Sequence, residues 1–334
     1  MKNKIKIIAE VGVNHNGDIK IAKKLVDAAK VAGADFVKFQ TFSAEKIVSK
    51  NSPLLKYQLN KKYKSQYELL QSLELKKEEY VQLFSYCKKK KIKFLSTAFD
   101  IESALFLKKI GQRIFKIPSG EIDNYPLLKI VSKIATKVFL STGMSNLSEI
   151  KFAIKVLTSG KLKKKDIIVF HCTTEYPTLI ENVNLLAMRT IQEKLNVLIG
   201  YSDHTIGSLT SALAVSLGAI IVEKHITLSS KMNGPDHKAS MEINDFIKFV
   251  KDVRSVKIIF GSKKKMATRN EKLIVKQIRK SIVANETILA GDKFSESNLT
   301  TRRPQNGLRP IIWEKILGKK SKKNYLCGDL IKKL

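Results

Sequence analysis

Eight times along this chain an apolar, β-branched run stops abruptly at polar or ionisable residues, and a helical stretch follows. The runs are IKIIAEVGVNHNG from Ile5, ADFVKFQTF from Ala34, IKFLSTAFD from Ile92 and RIFKIPSGE from Arg113. KVFLSTGMS from Lys137, DIIVFHCTTEYP from Asp166, NVLIGYSDHT from Asn196 and AIIVEKHIT from Ala219 complete the set. Between them lie segments with apolar residues at helical spacing. In residues 18–32, for example, Ile21, Leu25, Ala28 and Ala29 share a face and Asp18 is placed to cap the start. Eight strand–helix units ending near residue 260 predict a (β/α)8 TIM barrel, which takes roughly 250 residues. Such barrels carry their chemistry at the carboxyl ends of the strands. All five histidines, His15, His171, His204, His225 and His237, fall at or just beyond those ends.

The segment from Ser43 to Gln66 exceeds an ordinary βα connection and reads as a lid or binding loop. After residue 260 the rhythm breaks. Residues 261–278 are charged and read as a linker or linking helix, and residues 279–334 combine short strands, Gly turns and one short helix. A β-rich unit of that size is marginal alone, so it is expected to dock on a barrel or a second subunit.

Composition narrows the function classes. The net charge is +32, from 62 Lys+Arg against 30 Asp+Glu, but the lysines are spread over helix faces and turns. No basic helix carries interleaved aromatics and no zinc-finger motif occurs, so nucleic acid is not the expected partner. No apolar run reaches the roughly 20 residues of a membrane span, and the first strand begins without a signal-peptide pattern, so a cytoplasmic protein is expected. Cys87, Cys172 and Cys327 lack metal or disulfide spacing and read as reduced thiols. Cys172 beside His171 reads as a buried strand cysteine, because neighbours on a strand face opposite ways.

Alternation also selects what enters the barrel mouth. In Phe36-Val37-Lys38-Phe39-Gln40, Lys38 and Gln40 share the face opposite the apolar pair, and the same logic turns Lys116 inward. Inward lysines require a neutralising anion. Hydroxyls at neighbouring strand ends, Ser96, Thr97, Ser119, Ser141, Thr142, Thr173, Thr174 and Ser202, join Gly-flanked amides in a cradle for phosphate and carboxylate. His204 and His225 end the last two strands and suit a divalent Lewis acid with open positions, although histidine pairs unrelated to metal are common. Asp203 and Glu223 are candidate partners behind them, and Glu10 faces the same mouth.

In order, IIAEVGVNHNG, VKFQTF, FLSTAFD, FKIPSGE, STGMS, HCTTEYP, GYSDHT, EKHIT, GPDHKAS and TTRRPQNG resemble the sialic acid synthases, with their legionaminate and pseudaminate relatives. The resemblance covers essentially the whole chain and implies a barrel followed by a C-terminal SAF (antifreeze-like) domain. It implies condensation of phosphoenolpyruvate with the open-chain aldehyde of an N-acetylated sugar, releasing phosphate. Lys38, Thr97, Lys116, Ser119, Ser141, Thr174 and Ser202 would hold phosphoenolpyruvate. His204 and His225 would bind Mn2+, with Mg2+ or Co2+ as alternatives. Glu10, Gln40, Tyr176 and Asp236 would line the sugar side, with Glu121 and Glu223 near the reacting centre. Arg303 would reach the partner barrel of a domain-swapped homodimer. Two positions depart from the pattern: Thr174 stands where some members have Asn, and Thr97-Ala98-Phe99 replaces Thr-Pro-Phe.

N-acetylmannosamine is the expected acceptor because it is the commonest one. A 6-deoxy diacetamido sugar, giving legionaminate or pseudaminate, is the alternative. A pyruvate aldolase with a Schiff base on Lys116, and a non-catalytic binding protein, are the rivals from other classes.

Overall fold

A computed structural model describes residues 4–54 and 63–333. Eight parallel strands close into a barrel in sequence order. They are β1 (Lys6–Gly12), β2 (Phe36–Thr41), β3 (Lys93–Ala98), β4 (Ile114–Ile117), β5 (Lys137–Ser141), β6 (Ile167–His171), β7 (Leu198–Asp203) and β8 (Ile221–His225). The helices are α1 (Ile19–Val31), α2 (Ala44–Ile47), α3 (Gln66–Leu73), α4 (Lys77–Lys89), α5 (Ile101–Ile110), α6 (Tyr125–Ile134), α7 (Leu147–Thr158), α8 (Ala187–Leu195), α9 (Leu209–Ser216) and α10 (Ile243–Phe260). Local chemistry sets their starts. The Asp18 carboxylate accepts from the Lys20 amide, and Asp100 and Asn124 cap α5 and α6 in the same way.

The strands are buried on both faces, which is why they read as near-continuous apolar runs. Their outer faces, with Val37, Phe39, Val169 and Val222, join the helices in one large core. Their inner faces fill the lower barrel with Ile8, Phe36, Leu95, Phe139, Ile168, Phe170 and Ile221. Two residues further along five of the strands the same inner face turns polar. Ile8 gives way to Glu10, Phe36 to Lys38, Leu95 to Thr97, Phe139 to Ser141 and Ile221 to Glu223. The barrel is thus an apolar plug with a polar upper layer.

The segment expected to be a single loop from Ser43 to Gln66 contains α2 and runs directly into α3, a helix not anticipated from the sequence. Its residues 55–62 lie outside the described residues. The Glu74 carboxylate accepts from the Ala44 amide at 2.6 Å and the Gln66 amide donates to the Ser52 carbonyl at 2.9 Å, tying the two helices together.

The chain divides into two units, Met1–Gly261 and Ser262–Leu334. The second opens with α11 (Arg269–Ile278), capped reciprocally by Thr268 and Glu271, so most of the segment read as a linker is helical. Next come the antiparallel pair β9 (Ser281–Ala284) and β10 (Leu299–Arg302), then the short α12 (Trp313–Ile316). Ile282, Ile288, Phe294, Leu299, Tyr325 and Ile331 form its own small core. Arg303 is exposed, next to the end of β10.

Candidate active site

The carboxyl ends of the strands enclose a cavity of about 400 Å3. These barrel residues singled out from the sequence line it: Glu10, Lys38, Gln40, Thr97, Lys116, Ser119, Glu121, Ser141, Thr174, Tyr176, Ser202, His204, Glu223, His225 and Asp236. Strand register brings them to one level. Glu10 pairs with both Lys38 and His225, Thr97 with Lys116, and Ser202 with Glu223.

At its centre is a buried ion cluster. Lys38 Nζ lies 2.8 Å from Glu10 Oε2 and 3.7 Å from Glu223 Oε1, and Lys116 Nζ lies 3.1 Å from Glu223 Oε2. The neutralising charges required by two inward lysines are therefore the protein's own carboxylates as well as any ligand. The Ser202 hydroxyl donates to Glu223 at 3.0 Å, Lys38 donates to Thr97 Oγ1 at 3.1 Å, and the Lys116 ammonium lies 3.9 Å above the Phe170 ring.

The two glutamates titrate differently. Burial would raise Glu223, but Lys116 and Lys38 overcome it and hold its carboxyl down at about 2. Burial raises Glu10 to about 7, with Glu223 adding to the rise and Lys38 opposing it. Burial raises Asp236 to about 6. Burial opposes the charge on Lys38, yet Glu10 and Glu223 carry it above the usual ammonium range. Lys116 is pulled down by burial, against the pull of Glu223. The 3.1 Å contact with an ionised carboxylate favours its ammonium form. One carboxyl thus serves as a fixed anion while another is poised to exchange a proton near neutrality.

Of the hydroxyls expected in a cradle, Thr97, Ser119, Ser141, Thr174 and Ser202 line the cavity, whereas Ser96 pairs with Thr41, Thr142 donates to the Phe170 carbonyl and Thr173 to the Asn182 carbonyl. The Ser119 hydroxyl accepts from the Gly143 amide at 2.9 Å and lies 3.3 Å from Cys172 Sγ. A Cβ at Gly143 would run into Thr174 Oγ1 and Ser119 Oγ, so a larger residue there would force both hydroxyls to turn. Around Gly12, at φ +55, Asp236, Gln40 and Glu10 converge so closely that a Cβ would touch all three. Gln40 donates to Glu10 at 3.4 Å.

The five histidines separate into two groups. His204 and His225 line the cavity with ring centroids 5.7 Å apart, and the Tyr176 ring lies tilted 4.2 Å from that of His204. His171 faces outward and contacts the Val183 carbonyl through Nε2 at 2.8 Å. His15 accepts from the Gly17 amide, and His237 pairs with Thr227 and Asn16. Position at a strand end therefore overstated the case for these three, which stabilise loops. Asp203 is also corrected. It points away from His204 and is used by Thr205, Thr210, Ser211 and Lys224. His204 is oriented instead through Nδ1, 2.6 Å from the Thr173 carbonyl.

These two imidazoles fit a divalent cation. Burial lowers both pKa values, His225 well below the usual range, which keeps the rings neutral. With Nδ1 of His204 donating to a carbonyl, its Nε2 keeps a lone pair for a metal. Among the described residues nothing hydrogen-bonds the buried Nδ1 of His225. Among the described residues no group of three or more His, Cys, Asp or Glu side chains converges as a metal site, so a cation here would complete its shell with solvent or substrate oxygen.

Sequence reading missed the other half of the cavity. Val13, Phe42, Ile47, Val48, Leu69, Leu70, Leu73 and Phe99 form an apolar wall, and Cys172 lies in the lining as well. The signal was present for Cys172, which shares strand parity with the inward Ile168 and Phe170. Much of the wall comes from α2, inside the segment read as a loop, and from α3, which follows it and was not anticipated.

Comparison with known proteins finds two family models and several relatives. A model of the NeuB family matches residues 25–265, and a SAF domain model matches residues 279–333. The chain is 46% identical to an N,N'-diacetyllegionaminic acid synthase of Campylobacter jejuni, over 98% of both chains. It is 40% identical to the N,N'-diacetyllegionaminic acid synthase of Legionella pneumophila, over 97% of this chain and 92% of that one. Among solved structures, an N-acetylneuraminic acid (sialic acid) synthetase from Leptospira borgpetersenii in complex with citrate matches with a TM-score of 0.72. That match has 34% identity and covers 81% of this chain and 90% of that one.

Proposed function

The chain belongs to the NeuB family, and on that premise we propose that it condenses phosphoenolpyruvate with a 6-deoxy diacetamido sugar, giving a legionaminate-type nonulosonate and phosphate. The observation that carries the chemistry is the pair of inward lysines beside a carboxyl poised near pH 7, within one cavity. Higher identity to the two legionaminic acid synthases than to the sialic acid synthetase supports the deoxy acceptor over N-acetylmannosamine.

Lys38 and Lys116 bind the phosphate and carboxylate, with Thr97, Ser119, Ser141, Thr174 and Ser202 donating hydroxyl hydrogen bonds. Glu223 stays ionised and holds both ammonium groups in place. His204 and His225 would hold a divalent cation, Mn2+ foremost, which when bound polarises an aldehyde oxygen as a Lewis acid. C3 of phosphoenolpyruvate attacks the aldehyde carbon, whose oxygen takes up a proton to become a hydroxyl, and water adds at C2, giving up a proton to Glu10. The tetrahedral intermediate breaks its C2–O bond, and phosphate leaves against the lysines and hydroxyls. Gln40, Tyr176, Asp236 and Glu121 orient the sugar. Arg303 of a second copy completes the acceptor side in a homodimer.

Incubation with phosphoenolpyruvate, Mn2+ and each candidate sugar, with mass detection of the product, tests this reading. The diacetamido nonulosonate is expected, with one phosphate released per product. Turnover of N-acetylmannosamine alone would replace the acceptor, and product from pyruvate without phosphoenolpyruvate would overturn the chemistry.

A further inference from the structure

The cavity is two-sided, and only its charged half is used by the chemistry described above. The rest of the lining, with Gln66 at the start of α3 as its polar member, is mainly aliphatic and aromatic: Val13, Phe42, Val48, Leu69, Leu70 and Phe99. It is not an extension of the barrel interior. Val13, Phe42, Leu69 and Leu73 form a small core of their own, with Ile47, Leu70 and Phe99 packed against it. Phe42 and Phe99 meet edge to face at 6.1 Å. The hydrogen bonds that tie α2 to α3 hold this surface in shape over the cavity.

Both ends of an acceptor must fit such a space. Its aldehyde carbon has to lie over the lysine cradle, against C3 of phosphoenolpyruvate. An open-chain hexose then directs C6, the atom furthest from the aldehyde, away from the cradle. A C6 hydroxyl placed against the described apolar side chains of this wall would lose its water with no hydrogen-bonding partner among them, whereas a methyl group loses nothing. The geometry points to a C6 subsite: we infer that the wall of Phe42, Val48, Leu69, Leu70 and Phe99 reads the methyl end of a 6-deoxy acceptor. This inference rests on the proposed condensation and names the residues that select its sugar.

The test compares sugars that differ only at C6. One pair is the 6-deoxy diacetamido hexose and the same sugar with a C6 hydroxyl; the other is 6-deoxy-N-acetylmannosamine and N-acetylmannosamine. The wild type is expected to favour the deoxy member by about tenfold to a hundredfold in kcat/KM, the range for a group mismatched to an apolar pocket. Val48→Thr, which keeps the shape and adds a hydroxyl, and Leu70→Asn should each narrow that ratio several-fold. The KM for phosphoenolpyruvate should stay within about twofold, which a general loss of structure would not allow. Should Leu70→Asn fail to fold, Val48→Thr alone decides. Equal use of both members of whichever pair is turned over would overturn the inference and leave the condensation standing. An unchanged ratio in a folded variant would do the same. Activity only with the N-acetylmannosamine pair would reject the diacetamido acceptor, while its deoxy preference would still support or overturn the wall.

Discussion

Strands β7 and β8 carry two buried ion clusters on opposite faces. On the inner face, Ser202 and Glu223 meet Lys38 and Lys116 in the cavity. On the outer face, Asp203 and Lys224, each one residue further along, meet at 3.1 Å against α9 and α10. The residue types are alike, and so is the depth of burial. What differs is saturation. Asp203 accepts from the Thr205 amide and hydroxyl, from Thr210 and from Ser211, while Lys224 donates to the Thr205 carbonyl and faces the Phe249 ring. That outer cluster is closed and serves the scaffold. The inner cluster borders a cavity with room for a ligand, and its carboxyls are split between about 2 and about 7. A buried charge thus signals chemistry when its surroundings leave it work to do, not because it is buried.

The sharpest way to break this contrast is Asp203→Ala. It strands Lys224 in an apolar layer, so unfolding should become easier by about 3–5 kcal/mol in denaturant titration. A midpoint shift of under 1 kcal/mol would mean the outer cluster is not a scaffold. Next, His204→Ala and His225→Ala should each lower kcat roughly a hundredfold to a thousandfold, with little change in the unfolding midpoint, and chelation should reproduce the loss in the wild type. His171→Ala, on the outer face, should instead show its cost in stability. A smaller effect is read from pH. Glu10 must be ionised to accept a proton, so kcat/KM should fall tenfold per unit as pH drops below about 7, and Glu10→Gln should be slow without that limb. A limb that persists in Glu10→Gln would assign it to another group.

Legibility in the sequence follows the same division. Period-2 alternation was enough to turn Lys38, Gln40 and Lys116 inward, because the residues between them, such as Val37, Phe39 and Phe115, are apolar and pack outward. Family motifs located Tyr176, Glu121 and Asp236, which lie on loops where alternation has no force. The same alternation was available for Asp203, since adjacent Ser202 was placed inward, yet proximity in sequence to His204 was given more weight. The neutralising role of Glu10 and Glu223 was not readable, because it depends on which strands become neighbours when the barrel closes. The apolar wall was hidden for a related reason. Leu69 and Leu73 look like the core face of any amphipathic helix, and only the placement of α3 over the cavity gives them a ligand-facing side.

The most direct measurement is a calorimetric titration of phosphoenolpyruvate into three proteins: wild type, Lys116→Met, and the double variant Asp203→Asn with Lys224→Met. If the inner cluster is the anion cradle and the outer one scaffold, Lys116→Met weakens binding at least about tenfold, as loss of a charge-assisted contact requires. The double variant then binds like the wild type. Unchanged phosphoenolpyruvate affinity in Lys116→Met would contradict the assignment of the cavity.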